Sequence, residues 1–260
     1  GWGSLVDGAE AVVNLAGESI AGESLGAIAL RRWTRGVKNR ILQSRLDAGR
    51  AVTEAISAAR VKPRTLLQAS AIGYYGSRGD GELTEASGPG DGFTAQVCRA
   101  WEASTQAVEG LGVRRAVLRT GVVLAPEGGV LPLMALPFRF FAGGPLGDGR
   151  QFLPWIHLAD EVAAIRHLLE SPDASGPYNL SSPQPVSNDV FSRTLGHALH
   201  RPSCLRTPAL LLRAALGEKS EIVLASVRVL PRRLLDDGFT FAYPDPQGAL
   251  GDLLAPRTVR

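Results

Sequence analysis

The sequence is short of several residue types, and each shortage excludes a class of protein. It has only two cysteines, Cys98 and Cys204, and they stand outside any C-x-x-C pattern. This argues against a disulfide framework and a zinc site, and it suits a reducing compartment, so we expect a cytoplasmic protein without a bound metal. No uninterrupted apolar run reaches the ~18 residues that a membrane span needs, so we expect no membrane partner.

Charge of either sign is also modest. The formal net charge is +3, from 28 basic and 25 acidic residues, and lysine occurs only three times. The basic residues are scattered rather than gathered into a stripe, so we expect no nucleic-acid partner. The chain has 260 residues, 45% of them hydrophobic, which is enough to bury a core without disulfides. We expect a monomer or a homodimer that binds a small molecule.

Apolar segments that alternate with amphipathic ones indicate βαβ units. Residues 9–17, 65–70 and 114–124 have the length and composition of buried strands, and residues 44–60 and 94–110 carry apolar side chains at helical spacing. This order predicts an α/β fold with a doubly wound parallel sheet. The strands end in "NLAGE", "SAIGYYG" and "RTGVVLAP". Because such ends meet at one edge of a parallel sheet, we expect a ligand crevice there.

The second half of the chain has a different pattern. Glycine and proline crowd the stretch after Pro126, and residues 157–171 read as a helix with Asp160 as its N-cap. We expect residues 1–125, with 156–180 returning to them, to form one α/β domain around the parallel sheet. Residues 176–187 are expected to hold a strand followed by a Pro/Ser connection. The remaining segments, 126–155 and 181–260, are expected to form a smaller lobe with helices around 189–200, 208–216 and 220–236.

Four motifs occur together in this chain: "AVVNLAGE", "ASAIGYYG", "VCRAWE" and "GGPLGDGRQ". In this combination the sequence resembles the epimerase-like, atypical subgroup of the extended short-chain dehydrogenases/reductases. The final part of the chain resembles the small C-terminal domain of uncharacterised function found in that subgroup. The resemblance implies a Rossmann-like sheet with a smaller C-terminal α/β lobe, and NADP, in preference to NAD, as the cofactor.

Two features depart from that family. A glycine-rich GxxGxxG turn, which holds the dinucleotide pyrophosphate, is missing, and "GGPLGDG" in 143–149 follows no predicted strand. We therefore expect that the family's first three strands are absent and that "AVVNL" is an unpaired edge strand. We expect either that the parent protein is longer or that another segment covers this edge. The family's Tyr-x-x-x-Lys pair is replaced by Thr94 and Cys98. Tyr74 and Arg78 have the same spacing, but their glycine-rich surroundings predict a loop.

The resemblance assigns roles to residues at the strand ends. Ser70 matches a residue that orients the substrate oxygen, although a turn serine that bonds local amides is the alternative. Tyr75 matches a loop tyrosine beside the nicotinamide, where it or a water molecule would shuttle a proton, and Tyr74 is expected to pack. The cofactor is expected to touch Asn14, Leu15, Ala16, Gly17, Ala69, Arg119, Thr120, Gly121 and Val122.

Other side chains have both a chemical and a structural interpretation. His157 and Asp160 could form an acid/base pair, but helix capping by Asp160 and loop orientation by His157 explain them better. Trp33, Lys38 and Arg45 could reach an acidic ligand such as the 2′-phosphate of the cofactor, and a solvated helix face is an equal alternative.

Two hypotheses for the function follow. The first is an NAD(P)-dependent oxidoreductase or epimerase that acts on a small polar or nucleotide-linked substrate. The second is a catalytically silent NAD(P)(H)-binding sensor or partner-binding protein, for example in cell division, and it is motivated by the replaced tyrosine and lysine.

Overall fold

The computed structural model describes residues 1–20 and 32–255, and within them four parallel strands form the main sheet. The four strands are β1 (Ala11–Asn14), β2 (Thr65–Ala71), β4 (Arg114–Thr120) and β8 (Gly176–Leu180). The sheet has the order β1-β2-β4-β8, and every neighbouring pair is parallel. The predicted parallel arrangement is therefore confirmed, with β1 at one edge of the described sheet.

Helices cover both faces of this sheet, so the sheet is doubly wound. The side chain of Leu66 packs with Val52 and Ile56 of one helix, while Leu67 packs with Ala164 and Leu168 of another. Successive residues of a strand point to opposite faces, which is why β2 is apolar without interruption. The helices concerned are α1 (Arg35–Ala58) and α2 (Phe93–Ala103) on the first face and α4 (Leu158–Glu170) on the second.

A second apolar core lies beyond the sheet. Leu131 and Phe138 of one helix, Phe191 and Leu195 of another, and Leu250 of the last helix pack around Trp155. The helices outside the sheet are α3 (Leu131–Arg139), α5 (Asn188–Ala198), α6 (Ala209–Leu216), α7 (Ser220–Leu224), α8 (Arg232–Asp236) and α9 (Pro246–Leu254).

Short strand pairs and 3-10 turns connect these elements. Two pairs are parallel and one is antiparallel. The parallel pairs are β3 (Glu82–Leu83) with β10 (Arg228–Val229) and β5 (Val122–Leu124) with β7 (Trp155–His157), and the antiparallel pair is β6 (Phe152–Leu153) with β9 (Val186–Ser187). The 3-10 turns span Trp2–Val6, Ile72–Tyr75, Gln106–Leu111 and Gly217–Lys219.

The predicted strand over 114–124 is broken at Gly121, and a close approach of the backbone explains the break. The amide of Gly121 donates a hydrogen bond to the carbonyl oxygen of Leu180. A Cβ at this position would lie 2.9 Å from the carbonyl oxygen of Pro154, so only glycine lets these two segments of the backbone approach each other. The chain then leaves the main sheet and pairs with β7.

Two predicted helices are also shorter than expected. The segment 94–110 ends as an α-helix at Ala103 and continues as the 3-10 turn Gln106–Leu111. The segment 220–236 contains two five-residue helices, with β10 between them. Val229 of β10 is fully buried, and the strand pairs with β3, so this tertiary pairing overrides local helical spacing.

Among the described residues, every helix is too short or too polar to pass through a lipid bilayer.

Candidate functional site

The carboxyl ends of β1, β2 and β4 lie together at one edge of the sheet. Asn14 is paired with Gln68, Ser70 with Arg119, and Ala71 with Thr120, all in parallel register. The segments that follow these strands therefore start from the same edge, as the sequence predicts. In parallel sheets this edge is where ligands bind.

The residues predicted to touch the cofactor differ in accessibility. Leu15, Ala16 and Gly17 form an exposed shelf after β1, and 59% of Leu15 is accessible. At the end of β4, Thr120, Gly121 and Val122 are half-buried. Asn14, Ala69 and Arg119 are buried, and the Asn14 amide donates to the side-chain oxygen of Gln68 over 2.9 Å.

Ser70 belongs to a buried ion-pair network rather than standing free at the crevice. Its hydroxyl donates to Oε1 of Glu102 over 2.6 Å, and Arg119 donates to the two Glu102 oxygens over 2.9 and 3.0 Å. The side chains of Arg119 and Glu102 are only 5% and 15% exposed. Burial alone would lower the pKa of Arg119, but the hydrogen bonds and the charge of Glu102 outweigh it and raise that pKa.

Tyr75 extends the same network into the protein. Its side chain is completely buried, and its hydroxyl donates to Oδ1 of Asn179 over 2.7 Å and accepts from Arg119 over 3.1 Å. Burial raises the pKa of Tyr75 to about 12, even though Arg119 favours the ionised form. The proton-donor role of Tyr75 stays a prediction, and the geometry favours a role in fixing the 3-10 turn Ile72–Tyr75.

Thr94 and Cys98, which the sequence predicts in place of the family's tyrosine and lysine, face this turn. A Cβ at Gly73 would lie 3.1 Å from Cβ of Thr94 and 3.7 Å from Sγ of Cys98. Burial raises the pKa of the Cys98 thiol to about 11, and the nearby charge of Glu102 adds to the effect. Cys98 is therefore a protonated, inert thiol at neutral pH.

Sequence reasoning missed Glu102, although a signal was present. Thr94, Cys98 and Glu102 are each four residues apart, and such residues share one face of a helix. Since the first two were predicted to face the site, the same spacing brings the Glu102 carboxylate there. In the structure it receives the hydroxyl of Ser70.

A second carboxyl group that sequence reasoning missed lies on the other face of the sheet. Thr120 donates to Oε1 of Glu161 over 2.9 Å, while Oε2 is buried without a hydrogen-bond partner among the described residues. Burial raises the pKa of Glu161 to about 7, and the bond from Thr120 offsets part of this rise. Glu161 is thus a candidate for a group that exchanges a proton near neutral pH.

A cavity of about 670 Å³ lies beside the strand ends. One wall is the loop after β2, from Ile72 to Arg78, together with the first turn of α2. The opposite wall is the C-terminal segment that contains α6 and α7. Its volume is in the range of small-molecule sites. Thr94 lines it, whereas Ser70 and Tyr75 lie behind its wall, within the network described above.

The residues considered for a phosphate form hydrogen bonds or an ion pair with other groups of the protein. Arg45 is buried and donates over 2.9 Å to the carbonyl oxygens of Glu18 and Ile41. Lys38 forms an ion pair with Glu218, and the indole nitrogen of Trp33 donates to the carbonyl oxygen of Ile20. Arg45 and Trp33 therefore bind the backbone that follows β1, while Lys38 joins α1 to the 3-10 turn Gly217–Lys219.

His157 and Asp160 have structural roles, but the helix cap is His157 and not Asp160. His157 is the N-cap of α4, and its Nδ1 accepts the amide hydrogen of Ala159 over 3.0 Å. Asp160 instead accepts the backbone amides of Ala242 and Tyr243 over 2.8 and 2.9 Å. The prediction of Asp160 as N-cap is wrong, because its carboxylate satisfies donors of a distant segment.

Potential metal ligands are not grouped in the part of the chain that the structure describes. No cluster of three or more histidine, cysteine, aspartate or glutamate side chains is found in residues 1–20 and 32–255.

Comparison with known proteins adds relatives to this geometry. The chain is 42% identical over 246 residues to the epimerase family protein YfhF of Bacillus subtilis, covering 94% of this chain and 78% of that protein. It matches the crystal structure of human epimerase family protein SDR39U1 (isoform 2) with NADPH at a TM-score of 0.88 and 34% identity, over 94% of this chain and 81% of that one.

A third similar protein is a nucleoside-diphosphate sugar epimerase from Corynebacterium glutamicum. It matches at a TM-score of 0.76 and 33% identity, over 97% of this chain and 47% of that one. A domain of unknown function (DUF1731) matches residues 207–253, and the model of the NAD dependent epimerase/dehydratase family matches residues 5–181. The protein therefore belongs to the NAD dependent epimerase/dehydratase family.

Proposed function

We propose that the protein binds NADPH at the carboxyl edge of its sheet and is an NAD(P)-dependent oxidoreductase or epimerase acting on a small molecule in the adjacent cavity. The observation that carries this proposal is the cavity of about 670 Å³ between the Ile72–Arg78 loop and the α6–α7 segment. Its position beside the ends of parallel strands is typical of the substrate site next to a dinucleotide.

The residues at the edge fit a dinucleotide in part. Ala16 and Gly17 on the exposed shelf are small enough to let a flat group approach the backbone, and this shelf would lie on the adenosine side. Thr120, Gly121 and Val122 would flank the nicotinamide. The NADPH bound to the human relative supports this choice of cofactor. When bound, NADPH supplies or accepts a hydride.

The protein's own residues would then divide into two groups. Thr94 lines the cavity, so its hydroxyl is placed to contact the substrate. Ser70 and Tyr75, which the sequence nominates as catalytic, would act as positioning residues: both are buried and bonded to Glu102, Arg119 or Asn179. Their hydrogen bonds hold the turn that carries Ile72 and Gly73 into the cavity wall.

The proposal is tested by cofactor binding and then by turnover. Titration with NADPH and with NADH, followed by nicotinamide fluorescence, is expected to give saturable binding that is tighter for NADPH. NADPH oxidation or NADP reduction is then measured with panels of carbonyl compounds, alcohols and sugar nucleotides. Thr94→Val is expected to lower turnover with little change in NADPH affinity. Absence of saturable binding of both cofactors would contradict the proposal.

A second candidate is a catalytically silent NADPH-binding protein that acts as a sensor. The observation that favours it is that the hydroxyls of Ser70 and Tyr75 are both engaged in internal hydrogen bonds. The prediction that Cys98, whose pKa is raised, replaces the family's lysine also supports it. Tight NADPH binding without turnover of any panel member, together with partners captured only in the presence of NADPH, would favour this candidate.

A further inference from the structure

The cavity beside the strand ends has a largely apolar lining. Its apolar side chains come from both walls, and Ile222 is 44% exposed although it is a large hydrophobic residue. Covering such surface with an apolar ligand is favourable, since each Å² removed from water contributes about 25 cal/mol. The lining therefore suits a ligand with an apolar body. The apolar residues concerned are Ile72, Ile222, Leu224, Ala225 and Val227.

The charges around the cavity disfavour a diphosphate. Arg78, Arg213, Asp91 and Glu221 line it, so the positive and negative charges balance. Arg78 is committed to its own loop, because it donates to the carbonyl oxygens of Tyr75 and Pro89 over 3.1 and 2.8 Å. A nucleoside diphosphate would bring several negative charges toward two carboxylates, and such groups are normally held by several cationic or amide donors.

Arg213 is the cation that remains available. Within residues 1–20 and 32–255, its guanidinium has no hydrogen bond or ion pair to another described side chain or carbonyl group, and the residue is exposed at the cavity. A guanidinium pairs strongly and in a defined geometry with a carboxylate. One acidic group on the ligand is therefore the charge that this lining complements.

The hydroxyl groups of the cavity lead to the same ligand. Ser77 accepts the amide hydrogen of Ser226, and Ser220 donates to the carbonyl oxygen of Gly217 over 2.6 Å. Thr94 is the remaining hydroxyl in the lining, and its oxygen has no hydrogen-bond partner among the described residues. It can therefore bond a single carbonyl or hydroxyl group of the ligand.

From these observations we propose that the substrate is a mainly apolar molecule with one acidic group, and that Arg213 binds that group. This rests on the proposed function, because it names the substrate class of the same cavity. It differs from the small polar or nucleotide-linked substrate that the sequence suggests, since a sugar nucleotide does not match the charges of this lining. Arg213 is then a specificity-determining residue.

Titration calorimetry in saturating NADPH tests this proposal with three probes. They are 4-phenylbutyrate, 4-phenylbutan-1-ol and UDP-glucose. Phenylbutyrate is expected to bind, and Arg213→Gln is expected to weaken it about tenfold. The alcohol is expected to bind both variants equally, and UDP-glucose is expected not to bind. Arg99→Gln, at an exposed residue of α2 that does not line the cavity, is the matched control and should bind phenylbutyrate like the wild type.

Three outcomes would overturn the assignment: tighter binding of UDP-glucose than of phenylbutyrate, equal phenylbutyrate affinity in the wild type and Arg213→Gln, or no phenylbutyrate binding at millimolar ligand. NADPH binding is measured separately by fluorescence. Loss of NADPH binding would contradict the proposed function, whereas normal NADPH binding with any of these three outcomes contradicts the substrate class alone.

Discussion

Two neighbouring residues of β4, Arg119 and Thr120, lead to two buried carboxyl groups with different surroundings. Arg119 points to the face covered by α2 and pairs with Glu102, while Thr120 points to the face covered by α4 and bonds Glu161. The alternation of side chains along a strand is what sends them to opposite faces. The site edge is therefore built on two acidic groups, one on each side of the sheet.

The difference between the two groups is the presence of a cation. Glu102 receives two hydrogen bonds from a guanidinium and a third from Ser70, so both of its oxygens have donors. Among the described residues, Glu161 has only the neutral hydroxyl of Thr120 as a donor and one oxygen without a partner, and burial raises its pKa to about 7. The first group fixes structure, and the second group can change charge near neutral pH.

Removing the cation Arg119, which pairs with Glu102, should have the largest effect on stability. Arg119→Met leaves the Glu102 carboxylate buried without its partner and removes a donor to Tyr75, so we expect a loss of about 3–5 kcal/mol in the free energy of unfolding. Urea denaturation followed by circular dichroism measures it. Arg166→Met, which breaks the exposed pair with Glu170, is the control and should cost about 0.5 kcal/mol or less.

A second variant examines whether the loss comes from the unpaired charge. Arg119→Met combined with Glu102→Leu removes both charges, and it should be more stable than Arg119→Met alone, because replacing both members of a buried pair costs less than removing one. Equal stability of Arg119→Met and Arg166→Met would mean that the network contributes no more than a surface pair.

Glu161 should make stability depend on pH in the opposite way to an ion-paired carboxylate. Its pKa rises from 4.5 in a free side chain to about 7 in the folded protein. Between these values the folded state binds more protons than the unfolded state, so stability falls as the pH rises and is lowest above pH ~7. The raised pKa of this buried group corresponds to a difference of about 3 kcal/mol in the free energy of unfolding between pH values below 4.5 and above 7.

Glu161→Gln keeps the shape of the protonated side chain and removes the titration. We expect it to match the wild type at about pH 5 and to be more stable than the wild type at about pH 8. Urea denaturation at both pH values measures the difference. The exposed Glu170→Gln is the control and should retain the wild-type decline. If Glu161→Gln also retains that decline, Glu161 does not titrate in this window.

The sequence predicts the sheet well because its signals are local. Apolar runs at Thr65–Ala71 and Arg114–Thr120 and the helical spacing between them determine the βαβ order and therefore the common edge. The break at Gly121 was not predictable in this way, because it depends on the carbonyl oxygen of Pro154, which is distant along the chain. The alternation along β2 and β4 was available, and it places Ser70 and Arg119 on one face.

The partners of the site residues were predicted less well. The spacing of Thr94, Cys98 and Glu102 contains the information that all three face the turn after β2. By contrast, nothing in the sequence near Tyr75 indicates that Asn179 receives its hydroxyl, since β8 brings that residue from 104 positions away. Whether a polar side chain faces a ligand or a buried partner depends on such distant contacts.

Tyr75 offers a test of the network around Glu102, in which the carboxylate is paired with Arg119. Tyr75→Phe leaves the side-chain oxygen of Asn179 without its donor and one nitrogen of Arg119 without an acceptor, both in a buried environment. We expect a loss of about 2 kcal/mol in the free energy of unfolding. Tyr74→Phe is a close control, because its ring lies 3.5 Å from the Arg119 guanidinium carbon and is retained. Similar stability losses in the two variants would show that the buried hydroxyl of Tyr75 contributes little to stability.

Thr120→Val tests the group without a cation, Glu161, and is expected to change the free energy of unfolding least. The variant keeps the shape of the side chain but removes the hydrogen bond to Oε1 of Glu161, and we expect a loss of about 1 kcal/mol at about pH 5. Because this bond lowers the pKa of Glu161, its removal should raise that pKa further and move the decline in stability to higher pH. Unfolding midpoints measured across the pH range report both effects. A decline that stays at the wild-type pH would show that the carboxyl group is controlled by burial alone, and Thr120 would then only fill space at the end of β4.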